Sequence, residues 1–112
     1  MTALAATGTI LVLTTLPSSE KARSFVQGLV EKRLVACGTV VDNVTSVYRW
    51  EGAVETATEA QVILKTQRAR WDDLREAVEQ LHPYDVPELL ALPIETGLQA
   101  YLDWVGSETT DQ

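Results

Sequence analysis

ACGTVVDNVTSVYRWEGAVETATEAQVILKTQ, residues 36–67, decides how this chain folds. Its first arm is rich in Val, Thr, Tyr and Trp and carries no proline, a composition that favours extended backbone. In its second arm Val54, Thr56, Thr58, Ala60, Val62 and Leu64 alternate with Glu55, Ala57, Glu59, Gln61, Ile63 and Lys65, the period-two signature of a strand. Between the arms, Glu51-Gly52 predicts a tight turn, with Gly52 supplying the positive φ that such a turn needs. The whole stretch therefore reads as one long β-hairpin.

Its length is an argument about assembly. Each arm has roughly 14 residues and, at about 3.3 Å per residue, extends about 45 Å. A compact chain of this size has a radius of gyration of about 13 Å and a diameter of about 35 Å, so the hairpin overhangs its own domain. An isolated two-stranded ribbon is marginal in water, and this one carries Val44, Val47, Tyr48, Trp50 and Val54 near its tip. That apolar surface calls for cover from other copies of the same chain. The competing reading breaks the first arm at Asp42-Asn43 into a short strand and a loop, which leaves a monomer.

A chain of 112 residues is one domain, large enough for a core and small enough to gain from self-association. A formal charge of −7 and a pI near 4.5 argue against nucleic acid or an anionic membrane as the main partner, because both reward a basic face. The single cysteine excludes an internal disulfide framework and fits a reducing compartment. The opening MTALAATGTILVL has no basic residue before its apolar run, and no apolar stretch approaches the ~20 residues of a membrane span. These features predict a soluble cytoplasmic protein.

The rest of the chain falls around the hairpin. Residues 1–8 read as a loose lead-in, residues 9–106 as a single domain and residues 107–112 as a polar, flexible tail. Thr9 to Leu16 is a nearly continuous apolar run, as in a central strand buried on both faces, and Pro17 ends it. Ser18 and Ser19 are good caps for a helix running to about Leu34, with Ala22, Phe25, Val26, Leu29 and Val30 at helical spacing. A second helix spans Arg70 to Leu81, with Trp71, Leu74, Val78 and Leu81 on one face, and Pro83 ends it by disfavouring helical geometry at His82. A rigid connector then leads to a strand from Glu88 to about Leu92. Gly97 opens a third helix that places Leu98, Tyr101, Leu102 and Val105 together. The order is βαββαβ plus a C-terminal helix, which predicts an α+β, ferredoxin-like sandwich with a long hairpin between its second and third strands.

Few residues offer chemistry. His82, the single histidine, has Tyr84, Asp85 and Glu88 close by in sequence, and an imidazole with nearby carboxylates suits Cu²⁺ or Zn²⁺. A histidine at a helix C-terminus equally serves to satisfy carbonyl groups and the helix dipole. The thiol of Cys37 is the softest metal ligand present, or buried packing among small apolar neighbours. Lys65, with Trp50 and Tyr84 as walls, offers a polar cleft between subunits for a small anionic ligand; the same residues suit ordinary interface packing. GxSxG, P-loop, GxGxxG, CxxC and HExxH motifs are all absent, so no enzyme reading has its parts. Two other uses of such a fold also fail. An RNA-recognition domain needs aromatic residues on the second arm and a basic sheet; an acylphosphatase needs an arginine-bearing phosphate loop where this chain has TTLPSSEKA.

The segments VTSVYRWEG (Val44 to Gly52), ILKT (Ile63 to Thr66), LHPYDVPELLALPIE (Leu81 to Glu95) and YLDWV (Tyr101 to Val105) resemble the CutA family of divalent-cation tolerance proteins. The likeness runs from about Thr9 to Val105, in the family's order and spacing. It implies a ferredoxin-like protomer in a homotrimer with hairpins wrapped on neighbouring subunits, a role in divalent-metal (copper) tolerance, no catalytic activity and no required cofactor. It also implies a likeness to PII signalling proteins, whose small-metabolite binding is the alternative function. Relatives that bind copper use a cysteine near the end of the first strand and a histidine pair before the HPY proline. The matching positions here are Thr14, Leu81 and His82, of which His82 alone keeps a ligand side chain.

Overall fold

The computed structural model describes residues 7–110. In chain order the elements are β1 (Thr9–Leu16), α1 (Ser19–Glu31), β2 (Cys37–Trp50), β3 (Ala53–Gln67), a 3₁₀ turn (Arg68–Arg70), α2 (Trp71–Leu81), β4 (Leu90–Pro93) and α3 (Gln99–Glu108). The strands form one sheet in the order β2-β3-β1-β4, and every neighbouring pair is antiparallel. This is the expected ferredoxin-like α+β sandwich with one more helix at its end.

The register explains where the core lies. β1 pairs with β3 from Thr9↔Gln67 to Leu16↔Ala60, so Ile10, Val12, Thr14 and Leu16 share a face with Thr66, Leu64, Val62 and Ala60. All of these are buried, and they meet Ala22, Phe25, Val26 and Leu29 of α1 and Leu74 and Val78 of α2. Each large side chain buried there contributes about 1.5–3 kcal/mol. On the opposite face Leu11, Leu13, Ile63, Lys65 and Cys37 are half-buried. α3 reaches that face through buried Val105, a hydrogen bond from Gln67 Nε2 to the Thr109 carbonyl (3.1 Å) and the Cys37–Tyr101 contact.

The hairpin is continuous. Glu51 (φ 49°) and Gly52 (φ 83°) make its turn, both in the left-handed region that a two-residue hairpin loop requires. Asp42-Asn43 does not break β2; it forms a bulge between Val41 and Val44, with Asn43 at φ 55°. β3 pairs with β1 only from Ala60 onward, so residues 53–59 have β2 as their one strand neighbour. The radius of gyration, 15.0 Å, accordingly exceeds the ~13 Å of a compact chain, and the longest dimension is 43 Å.

Several boundaries differ from those read in the sequence. α1 stops at Glu31 rather than near Leu34, because Arg33 turns left-handed (φ 60°) and the Leu34 amide returns to the Leu29 carbonyl (3.0 Å), a Schellman closure without glycine. β4 starts at Leu90, two residues later than expected, and includes Pro93 at its end. α3 starts at Gln99, and of its expected apolar face only Val105 is fully buried, while Leu98 is 77% exposed. The polar tail is shorter than residues 107–112: Ser107 and Glu108 are helical, and Thr109 is buried with its hydroxyl on the Val105 carbonyl (2.7 Å). Of the lead-in, residues 1–6 lie outside the described residues, while Thr7 donates its amide and its hydroxyl to the Ile94 carbonyl.

Gly38 of β2 sits where a Cβ would fall 2.6 Å from a Val26 methyl and 2.8 Å from a Leu64 methyl. Both neighbours are buried core residues with no room to retreat. Gly38→Ala should therefore cost about 1–3 kcal/mol of stability, read as a lower urea midpoint at matched protein concentration.

Candidate functional site

The polar centre of the protomer forms where the end of β1, the end of α2 and the root of the hairpin converge. Pro83 sets His82 in an extended conformation (φ −74°, ψ 136°), which turns the chain out of α2 while the His82 amide still reaches the Val78 carbonyl (2.9 Å). The His82 ring then lies buried against β1. Its Nε2 is 2.7 Å from the Thr15 carbonyl and 3.3 Å from the Thr14 hydroxyl, and its Nδ1 accepts the Tyr84 amide at 3.1 Å. A carbonyl can only accept, so Nε2 carries the hydrogen and Nδ1 is the bare nitrogen. Phe25 meets the ring edge-on at 5.6 Å between centroids, and Tyr84 packs on it at 4.9 Å.

Tyr84 extends this centre to the hairpin. Its hydroxyl donates to the Glu59 carboxylate at 2.5 Å. Glu59 lies opposite Val44, at the first pair beyond the β2 bulge, and the side chains of Ser46 and Thr15 stand beside the same carboxylate. Burial pushes the Glu59 carboxyl up, but the hydrogen bond from Tyr84, together with the nearby Ser46 and Thr15 side chains, outweighs it and holds the group below its ordinary value. Burial lowers the His82 imidazole, against opposing pulls from the Thr15 carbonyl and Glu59, so the ring is held neutral. The Tyr84 phenol is pushed far up, first by burial and then by the hydrogen bond to Glu59 and its charge.

The candidates named from sequence scatter around this centre. His82 is engaged at both ring nitrogens, and Asp85 and Glu88 are exposed on the connector. Among the described residues no group of three His, Cys, Asp or Glu side chains comes together to hold a metal ion. Lys65 points its ammonium at the Thr39 hydroxyl (3.4 Å), on the sheet face away from α1. Trp50 stands at the hairpin tip opposite Ala53, about 40 Å along β3 from Lys65 at about 3.3 Å per residue. Lys65, Tyr84 and Trp50 therefore cannot line one cleft within a single protomer. Cys37 is half-buried, with its sulfur 3.6 Å from the Tyr101 hydroxyl, a contact that heads the causes raising that phenol. In the sequence Glu59 carries one signal, a carboxylate within the alternating run of β3; its half-burial is evident only in the fold.

Residues 10–108 match the family described as CutA1 divalent ion tolerance protein. The chain belongs to the CutA family. It is similar to the divalent-cation tolerance protein CutA of Thermus thermophilus, with 46% identity over 99 residues that cover 88% of this chain and 96% of that one. A solved divalent cation tolerance protein from the same organism superposes with a TM-score of 0.88 at 45% identity, covering 91% of this chain and 99% of that chain. CutA1 from Oryza sativa superposes at 0.89 with 38% identity, covering 93% and 95%. A CutA homolog of Xenopus laevis is 42% identical over 92 residues, 82% of this chain, which spans 61% of that longer protein. The centre built on His82, Tyr84 and Glu59 lies within the matched residues and is a closed hydrogen-bonded network.

These protonation states make stability depend on pH. Stabilisation from neutral His82 is complete above its ordinary value of 6.5 and is lost as pH falls below it, because the unfolded chain takes up the proton first. Stabilisation from ionised Glu59 is complete above 4.5 and is lost below that value by the same logic. Urea midpoints measured from about pH 8 to about pH 3 should fall in both windows. His82→Asn should flatten the upper window, and Glu59→Gln should shrink the lower one.

Proposed function

We propose that this CutA protein acts as a homotrimer in tolerance to divalent metal ions, engaging copper or zinc at positions that a second copy completes. The observation that carries the reading is the surface one protomer leaves open. Val47 and Val54 on the overhanging ribbon are 66% and 65% exposed, and Leu90 and Leu92 on the β4 edge are 56% and 43% exposed. Such apolar strips on an open sheet edge favour association with a like chain, and kinship with CutA proteins supports three as the number. The half-buried thiol of Cys37 suits a reducing compartment, and the cytoplasm is the proposed place of action.

The residues of one protomer do not fit a resident metal ion. A metal at His82 would have to displace either the Thr15 carbonyl or the Tyr84 amide from a buried ring. Asp85 and Glu88 are exposed carboxylates, hard ligands suited to weak divalent binding once a partner adds to them. No required cofactor is proposed. A second reading, an anionic metabolite held between subunits, has one observation in its favour: Lys65 has no carboxylate partner among the described residues. In that reading Trp50 and Tyr84 come from different copies. A screen of anionic metabolites should then give thermal shifts that Lys65→Ala abolishes.

Light scattering of the purified chain should give about three times the 12.3 kDa protomer mass, and a stable folded single chain would remove the assembly. Calorimetric titration of the assembly with Cu²⁺ and Zn²⁺ should show affinity that Asp85→Asn with Glu88→Gln weakens about tenfold and His82→Ala leaves within about twofold. A selective loss in His82→Ala, with the fold retained, would make the imidazole a ligand after all.

A further inference from the structure

The hairpin root and the α2–β4 connector are separate pieces of chain that carry the two open surfaces. Beyond Glu59 the ribbon has no third strand, and its first pair lies next to the bulge where Asn43 adopts φ 55°. Between His82 and Leu89 the connector has neither helix nor strand, yet it delivers β4 to the sheet edge. Among the described residues, one side-chain hydrogen bond joins these pieces, the one from Tyr84 to Glu59. It is anchored on both sides. Tyr84 is fixed through its amide and ring to His82, which is itself bonded to β1. Glu59 has Ser46 of β2 and Thr15 of β1 beside its carboxylate, and among the described residues no lysine or arginine pairs with it.

We propose that the Tyr84–Glu59 hydrogen bond is a latch that fixes the ribbon against the connector, so that the overhanging hairpin and the β4 edge are presented to other copies as one rigid surface. Glu59 and Tyr84 are positioning residues: they act through the elements they join. Carboxylate and phenol suit the task because a single directed, charge-assisted bond sets an angle, whereas apolar contact at the same place would let the ribbon slide. The link also runs both ways. Displacing Tyr84 from Glu59 frees the connector at β4 and the ribbon at Val44 together.

The latch gains its purpose from the proposed self-assembly, but it can be tested apart from it. Tyr84→Phe keeps the ring on His82 and removes only the hydroxyl, while Glu59→Gln keeps the shape and removes the charge. In each variant the concentration for half-dissociation of the assembly should rise by about tenfold or more, and the double variant should rise no further than the larger single one. Backbone hydrogen exchange should quicken at residues 44–47 and 90–92 in the same variants and stay unchanged at residues 25–29 of α1. Unchanged dissociation with unchanged exchange, additive effects, or exchange that quickens at only one of the two sites would overturn the latch. If the unaltered chain is monomeric at every concentration, the assembly falls and the exchange pattern alone decides the latch. If Glu59→Gln does not fold, Tyr84→Phe decides it.

Discussion

The pairing of β3 with β1 stops at Ala60, and most of what is distinctive about this chain follows from that limit. The inner half of the hairpin is one of three partners in a sheet covered by α1 and α2; the outer half has a single neighbour, its own returning arm. A ribbon in that condition loses apolar cover on both faces and stays marginal by itself. The core beneath the sheet is closed and apolar, so the protomer has its own reason to fold. The ribbon does not, and the valines and tryptophan at its far end are a cost that only another surface can offset.

The polar centre sits at the junction between these two regimes. Buried polar groups persist where every donor and acceptor is matched, and the His82 ring meets that requirement on both sides. A matched imidazole is a poor starting point for metal coordination, since each bond to a cation would orphan a backbone group. A role in metal tolerance thus does not require that the protomer carry a metal centre of its own.

Most of the fold was legible in the sequence, because its signals are periodic. The alternation of β3, the continuous apolar run of β1 and the helical spacing around Phe25 and Leu74 each dictate one face, and that face is where the core lies. Signals that depend on one residue were weaker. Asp42-Asn43 is compatible with a loop or a bulge, since both use the left-handed backbone that Asn tolerates. Arg33 ends α1 in that same region with no glycine to announce it. At the polar centre, His82 and Tyr84 stood out as neighbours in the chain, but Glu59 lies 25 residues from Tyr84 and looks like an ordinary outward-facing acid in its strand. Its partnership is a product of the connector's path over the sheet, which local pattern does not encode. The placement of Trp50 far from Lys65 likewise follows from strand length: the two belong to separate motif segments, and most of β3 lies extended between them.

β4 is four residues long and ends in Pro93, a residue with no amide hydrogen to offer a further strand. A neighbour that docks here therefore finds a brief landing strip with a built-in terminus. So short an edge, closed by a residue without an amide hydrogen, gives little template for continued strand addition and guards this margin against cross-β stacking.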